Sequence, residues 1–534
     1  MTASTGTSTA TARGVDLRFP LAGAAAAAGA LGVSELLAGL LPGGTSLIAG
    51  IGQVLVDHQP SGAKDVVVGL FGTNDKLALE LLIAGVAVLI GAGLGLVSRR
   101  WFAAAAVGFA VFGVVGFAAA LGDPVASPSI VAVDAAVAVG AGLWILDWLP
   151  RTGQAATPVP SGRRGTPARG GAPVATMPDW SRRSFLIRTA GVGVAAAVGG
   201  VAGRSLLERQ RFPPAGDEAA LPPAAESAPP LATGADLSST VPGLTPIVMP
   251  NDRFYKIDTT LLVPGVSTDG WTLRIHGMVD RETVLTWDEL TAMPLFEQYV
   301  TIACVSNEVG GKLVGNAKWA GVRLRDVLEM AGVQAGATQL VGRAVDGWTA
   351  GMPTAWVMDP SREPMIALKM NDEPLPPAHG YPARLIVPGL YGYVSATKWL
   401  AELELTTLEA FDGYWVPLGW SKLGPILTQS RIDTPRGGSV AAGHVPVAGI
   451  AWAPDRGIAK VEVGVDGVWA EARLSTPISD ATWVQWVYDW AATPGHHVVQ
   501  VRATDGTGQV QTQDATPPAP DGARGWDGVA FDVS

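Results

Sequence analysis

Thr301-Ile302-Ala303-Cys304-Val305-Ser306-Asn307-Glu308 holds the only cysteine in a chain of 534 residues. It closes a β-like apolar run at 298–303, so Cys304 stands where a strand gives way to a loop. Two readings follow from the residues alone. A thiolate is a soft ligand, suited to a metal that cycles between oxidation states. A lone cysteine is as readily a small, buried, inert hydrophobe. One Cys excludes an intramolecular disulfide framework and any Cys-rich zinc or iron–sulfur site.

Outward from that stretch, the composition divides the chain. It is 48% hydrophobic and 16% charged, with 67 Gly and 40 Pro, whereas soluble domains carry about 25% charged residues. Residues 1–205 hold 14 basic and 10 acidic residues (net +4), and the remainder 23 and 37 (net −14). An acidic second half without basic runs argues against nucleic acid as the partner. The pattern is that of a membrane protein with a large soluble part.

Four apolar stretches, 21–41, 77–97, 101–121 and 130–149, approach the roughly 20 residues needed to cross a bilayer core as helices. The first contains Glu35, the second Glu80 and the fourth Asp134 and Asp147. Glu80 and Asp134 are expected near the membrane interfaces. A fifth stretch, 189–203, is uncharged, short and rich in Ala and Gly. His58 is the sole histidine of this half, which excludes a haem held by two membrane histidines.

Arg13 and Arg18, Arg99 and Arg100, and Arg151 to Arg183 fall on one side if every stretch crosses, against only Lys64 and Lys76 on the other. The positive-inside rule makes the N-terminus and the basic linker cytoplasmic and places everything after residue 205 outside. Ser181-Arg182-Arg183-Ser184-Phe185-Leu186 before the fifth stretch resembles a twin-arginine export signal, here internal. The plainer alternative is the basic flank of a membrane helix. Export by that route carries folded proteins, and so implies a cofactor enzyme loaded inside the cell.

Nine prolines in 206–250 suggest a semi-extended tether. Residues 251–425 mix short strands (271–278, 339–345, 384–387, 400–406) with helical patterns at 288–292 and 324–331, which reads as an α+β domain. From 426 the pattern is β only, with strands at 444–452, 458–465, 484–490 and 496–504 and turns at Asp466-Gly467 and Asp505-Gly506, as in an immunoglobulin-like β-sandwich. The expected fold is therefore multi-domain: a four-helix membrane region (1–150), a linker with the fifth span (151–205), a tether (206–250), the α+β domain and the sandwich.

Cys304-Val305-Ser306-Asn307, then Gly315-Asn316-Ala317-Lys318-Trp319-Ala320-Gly321-Val322, then His379-Gly380-Tyr381-Pro382-Ala383-Arg384-Leu385-Ile386-Val387-Pro388-Gly389, and Lys398-Trp399-Leu400 resemble, in order and spacing, the sulfite oxidase family of molybdopterin enzymes. Ala451-Trp452 and Arg456-Gly457-Ile458 resemble its C-terminal immunoglobulin-like dimerisation domain. The resemblance implies a molybdenum–molybdopterin cofactor with Cys304 as the protein ligand to the metal. It implies catalytic roles for Cys304, Asn307 and Arg456, the last as an anion-binding arginine. It implies pterin or phosphate contacts from Asn251, Phe254, Tyr255, Asn316, His379, Arg384 and Lys398. Asn316 and Trp319 are expected to line the pocket, although simple packing explains Trp319 equally well.

The sequence departs from the family's pattern where a sulfite oxidase carries an arginine and a tyrosine: Glu308 follows Asn307, and Leu368 precedes Met370-Asn371. A negative charge in place of a positive one disfavours sulfite. The partners implied are a small oxo-donor or oxo-acceptor, a separate cytochrome or quinone as electron carrier, the membrane, and a second copy of the chain. A sulfoxide reductase of the methionine-repair kind and a cofactor-free anchored binding protein are the competing readings.

Overall fold

A computed structural model describes residues 16–59, 75–152, 179–211 and 221–534. Arg13, Lys64, the basic linker 153–178 and Pro213-Pro214 lie outside the described residues. The chain divides into two units, Met1–Arg211 and Phe212–Ser534.

In the first unit the described helices are α1 (Arg18–Leu40), α2 (Leu47–Asp57), α3 (Asp75–Ser98), α4 (Phe102–Ala120), α5 (Pro128–Thr152) and α6 (Asp179–Arg211). All but α2 are long and apolar enough to cross a membrane. The α6 helix runs 33 residues, well past the uncharged 189–203 core, because the Arg-rich flanks on both sides are good helix formers. The short α2 is absent from the sequence reading: its apolar run is too brief to span, and the Ser46 side chain caps it by accepting from the Ala49 N–H at 3.1 Å. Glycines let backbones touch. A side chain on Gly23 of α1 would overlap Gly91 and Gly95 of α3, and one on Gly32 or Gly39 would overlap the α6 backbone at Ala196 or Gly203.

Two of the acidic residues within these helices have polar partners. Glu80 pairs with Arg204 at 3.1 Å. Asp134 is buried, and one of its oxygens accepts from the Ser34 hydroxyl at 2.9 Å.

The described residues of the second unit form four sheets. Strands β1 (Thr272–Gly277), β2 (Thr283–Thr286), β5 (Gln339–Ala344), β6 (Thr349–Pro353) and β10 (Leu400–Thr406) form one, in the order β2-β1-β10-β5-β6 with β1 and β10 parallel. Strands β3 (Leu295–Ala303), β4 (Val314–Arg323), β7 (Met365–Met370) and β8 (Glu373–Pro374) form a second, with β9 (Arg384–Ile386) on β7. Helix α7 (Trp287–Thr291) begins with a complete capping box between Thr286 and Glu289. Helix α8 (Leu324–Ala331) ends at Gly332, whose φ of +74° suits only glycine.

Strand β4 escaped the sequence reading because Gly, Asn and Lys interrupt it. Its glycines have packing reasons: a Cβ on Gly315 would enter the Phe254 ring, and one on Gly321 would enter the Ile366 backbone.

The last two sheets run β11 (Gln429–Thr434), β13 (Gly443–Trp452), β17 (Val484–Ala492), β16 (Arg473–Leu474), and β12 (Gly438–Val440), β19 (Asp527–Val533), β18 (Gly495–Asp505), β14 (Ile458–Val465), β15 (Val468–Glu471). Val447, Trp486 and Trp490 of one sheet share a buried core with Val461, Val501 and Phe531 of the other, which makes a β-sandwich. The Asp466-Gly467 turn has both residues at positive φ (+50° and +84°), as a two-residue hairpin between β14 and β15 requires.

Residues 221–250 differ from the expected tether. The Ala225 N–H donates to the Leu295 carbonyl at 2.8 Å, and the Met249 N–H to the Asn316 carbonyl at 2.8 Å. Leu237, Val241 and Leu244 are buried with Ala448 and Val487 of the sandwich. Proline blocks helix and central strand, yet leaves the neighbouring peptides free to pair and their apolar side chains free to bury.

Candidate active site

Strand β3 delivers Cys304 into a loop that closes on itself before β4. The Cys304 N–H donates to the Leu313 carbonyl at 2.9 Å, and the Asn307 N–H to the Cys304 carbonyl at 3.1 Å. The Asn307 side-chain oxygen accepts from the Leu313 N–H at 2.7 Å. Asn307 is thus the internal brace of the loop, while its amide Nδ2 is buried without a partner. Cys304 is 9% exposed.

A second group converges from β9 and the turns around it. His379 closes a short 3₁₀ turn, Pro377–His379, and Gly380 follows at φ +115°, its Cα against the Lys398 backbone where a side chain would crowd. The His379 Nε2–H donates to the Asn251 carbonyl at 2.9 Å, because a carbonyl can only accept. Its Nδ1 is then a bare acceptor, buried without a partner. Burial pushes the His379 pKa down to about 3, opposed by the Asn251 bond and reinforced by Arg384, Lys398 and Lys256.

Arg384 donates through Nη1 to the His379 carbonyl at 3.0 Å, and its Nε–H is buried with no partner. Its guanidinium stands 5.5 Å from the Trp319 ring centroid. Burial lowers its pKa to about 10, with Tyr255 and Asp258 opposing. Lys398 pairs with Asp258 at 2.9 Å and donates to the Ala378 carbonyl at 3.0 Å. Its neighbour Trp399 sits at φ +49°, a strained value for a bulky residue, held by its indole N–H on the Pro377 carbonyl at 2.8 Å.

Aromatic rings join the two groups. Phe254 stacks on Tyr255 (5.3 Å between centroids) and meets His379 and Trp319 edge-on at 5.7 and 6.0 Å. Tyr255 lies within electrostatic reach of both Cys304 and Arg384. Burial and then the Cys304 sulfur raise its hydroxyl above the usual range, with Arg384 opposing. Of the residues singled out from the sequence, Phe254, Tyr255, His379, Arg384 and Lys398 therefore form one cluster that reaches Cys304.

Others take different places. Asn251 acts through its carbonyl on His379; its side chain serves the Met370 carbonyl, Glu373 and Asn371. Asn316 lies on β4. It is fully buried, its Nδ2 donating to the Ile247 carbonyl at 2.8 Å and its Oδ1 accepting from the Thr301 hydroxyl at 3.1 Å. Trp319 is also fully buried, which realises the packing reading. Arg456 is engaged by Asp505 (3.0 Å), Asp455 (3.1 Å) and the Ile426 carbonyl (2.8 Å). Leu368 belongs to the hydrophobic core, and Glu308 is exposed, where solvent screens its charge.

Asp258, Asp346 and Tyr391 were not found from the sequence. Asp346 is raised to about 6 by burial, with Asp258 adding and Lys398 opposing. Tyr391 is pushed up to about 12, chiefly by burial, and it too feels Cys304. No spacing signal marks them, since only the fold brings them near the others. Among the described residues no group of three or more His, Cys, Asp and Glu could hold a metal.

Residues 260–415 match the family described as oxidoreductase molybdopterin binding domain. Human mitochondrial sulfite oxidase is 30% identical over 270 residues, covering 42% of this chain and 49% of that protein. The oxidoreductase YuiH of Bacillus subtilis, described as uncharacterized, is 34% identical over 154 residues, covering 29% of this chain and 74% of that protein. The sulfane dehydrogenase SoxCD of Paracoccus pantotrophus aligns over 50% of this chain and 75% of its own, at 24% identity and a TM-score of 0.45. The chain spans about half the length of the sulfite oxidases it matches. Together with the ordered cluster around Cys304, the matches show that this chain belongs to the sulfite oxidase family of molybdopterin-binding oxidoreductases.

Proposed function

We propose that the chain is a membrane-anchored oxidoreductase working outside the cytoplasm, with oxygen-atom transfer at a molybdenum held by Cys304 and a pterin cofactor. One observation carries the reading. Two buried polar atoms lack protein partners, the Arg384 Nε–H and the His379 Nδ1, beside a cluster of cations, and Tyr255 lies within electrostatic reach of both Arg384 and Cys304. An anionic, phosphate-bearing group with hydrogen-bond donors of its own would satisfy both atoms and offset the lost hydration of Arg384. When bound, the cofactor supplies the two-electron oxygen-atom chemistry.

The chain's own residues would bind and orient that group. Arg384 offers a guanidinium fork, and Lys398 a charge whose direction is set by Asp258. His379, neutral and held in one tautomer by Asn251, offers an acceptor. The Asn307 brace fixes the loop that presents the sulfur. Cys304 would be the single protein ligand to the metal.

Arg456 bears on the substrate. It is the cation that the resemblance offers to an anion, and its fork is occupied by two carboxylates and a carbonyl. With Leu368 supplying no hydroxyl, this favours a neutral oxo-donor such as a sulfoxide over sulfite. A separate cytochrome or quinone would exchange the electrons. The sandwich would serve as an immunoglobulin-like dimerisation domain. Arg182 and Arg183, exposed at the head of α6, fit an internal twin-arginine signal followed by an apolar helix.

Metal analysis of protein from cells able to make the cofactor tests the core of the reading. About one molybdenum per chain is expected, and Cys304→Ser should abolish turnover without unfolding the chain. Full turnover by that variant refutes the ligand assignment. Methionine sulfoxide with a reductant and sulfite with an oxidant test the substrate, and turnover of sulfite alone overturns the neutral-donor reading. Reporter fusions after residues 160 and 240 should be active on opposite sides of the membrane.

A further inference from the structure

The loop that carries Cys304 is gripped by the sandwich. Arg431, on β11, is 5% exposed and all three guanidinium nitrogens are used. Nη1 donates to the Gly311 carbonyl at 2.6 Å, Nη2 to the Thr245 hydroxyl at 3.0 Å, and Nε to Asp433 at 2.7 Å. Asp433 is itself buried, and its other oxygen accepts from the Thr245 N–H at 3.1 Å. A buried, doubly anchored guanidinium of this kind has one orientation, and the carbonyl it reaches is held in place.

Gly311 lies two residues before Leu313, whose carbonyl takes the Cys304 N–H and whose N–H is braced by Asn307. The space around Gly311 permits no adjustment, since a side chain there would strike the Asn307 amide oxygen. The preceding Gly310, at φ +71°, abuts Asp527 of β19 in the same way. The strand on the other side of Cys304 is also tied to the sandwich unit: the Thr301 N–H donates to the Ala481 carbonyl at 2.9 Å, and the Trp483 N–H to the Thr301 hydroxyl at 2.8 Å. Between these ties the loop is braced by Asn307 and by the Gly311 N–H on the Glu308 carbonyl at 2.8 Å, Arg436 of the β11–β12 turn adds a bond to the Gly310 carbonyl at 3.2 Å, and Glu308 and Lys312 stand in solvent.

We infer that Arg431 is a positioning residue for Cys304, fixing the sulfur's place through Gly311 and Leu313, so that the sandwich takes part in building the redox site. The inference rests on the reading of Cys304 as the site's sulfur, and on no contact to the cofactor.

Because the chain has one cysteine, a thiol reagent reports on that sulfur alone. The test is the rate at which dithiobis-nitrobenzoate labels the full-length, cofactor-free protein, with thermal melting measured alongside. Arg431→Met should label at least about tenfold faster than the native chain, the signature of easier local opening. Arg431→Lys, which keeps the ion pair but loses the fork, should fall between. Arg431→Met labelling at the native rate overturns the inference. If that variant does not fold, Asp433→Asn decides, with faster labelling supporting the inference and an unchanged rate refuting it. X-ray absorption of the loaded native protein tests the underlying reading separately, since absence of a protein sulfur on molybdenum would sink that reading and leave the labelling rates as they are.

Discussion

Replacing His379 with glutamine gives a pH-dependent stability change whose size follows from the site. His379 is 1% exposed, and burial takes its pKa from 6.5 to about 3. Above pH 6.5 both folded and unfolded chains hold it neutral. Below that, the unfolded chain takes up a proton that the folded one refuses until about pH 3, so the native state loses stability as the pH falls through this window. Each unit is worth about 1.36 kcal/mol, so at pH 4.5 the loss reaches about 2.7 kcal/mol. Glutamine does not titrate, and other groups contribute equally to both proteins. Urea unfolding of the cofactor-free, detergent-solubilised chain, followed by tryptophan fluorescence at pH 7.5 and 4.5, gives the difference between native and variant at each pH. The native protein's advantage should shrink by about 2.7 kcal/mol between the two. A difference constant across that range would show that the imidazole is charged or exposed in the folded protein, and the argument for a neutral acceptor beside Arg384 would fail.

Two further outcomes follow from buried contacts and from backbone conformation. Asn316→Leu leaves the Thr301 hydroxyl proton without an acceptor and takes one of two donors from the Ile247 carbonyl, which keeps the Trp483 indole N–H at 2.9 Å; it should cost about 1–2 kcal/mol in chemical denaturation while leaving cofactor content unchanged in the folded fraction. If instead the folded variant loses molybdenum, Asn316 touches the cofactor after all. A Cβ at Gly467 meets no atom within 4 Å, so the effect of Gly467→Ala is backbone strain alone at φ +84°. A loss of about 1–2 kcal/mol is expected, and a neutral result would mean that the β14–β15 turn relaxes freely.

Legibility varied with the range of the interaction. Helix α8, the short helix α7 and the Asp-Gly hairpin turn were readable because each is decided within a few residues. The five apolar spans were readable because the bilayer demands length and composition only. Strand β4 was not, since its Gly, Asn and Lys suit neighbours contributed by Phe254, Ile366 and Ile247, far away in the chain. The prolines of 221–250 signalled an extended chain correctly and gave no hint that it would lie along β3 and the sandwich. Asn316 sits within a motif that suggests a pocket, yet its amide is used to tie Ile247 to Thr301.

By itself the order of amino acids determined the chemistry on offer: one soft sulfur at the end of a strand, a histidine and an arginine five residues apart, a lysine beyond them, and apolar stretches long enough to cross a membrane. Folding decided which of these groups is left with an unmet bond. The Arg384 Nε–H and the His379 Nδ1 are buried where the surrounding chain offers them no protein partner. Arg456 and Asn316 are supplied in part by chain from 30 and 69 positions away, the Ile426 and Ile247 carbonyls. Whether a polar atom is free depends on the sum of its neighbours in space, and that sum has no local signature along the chain.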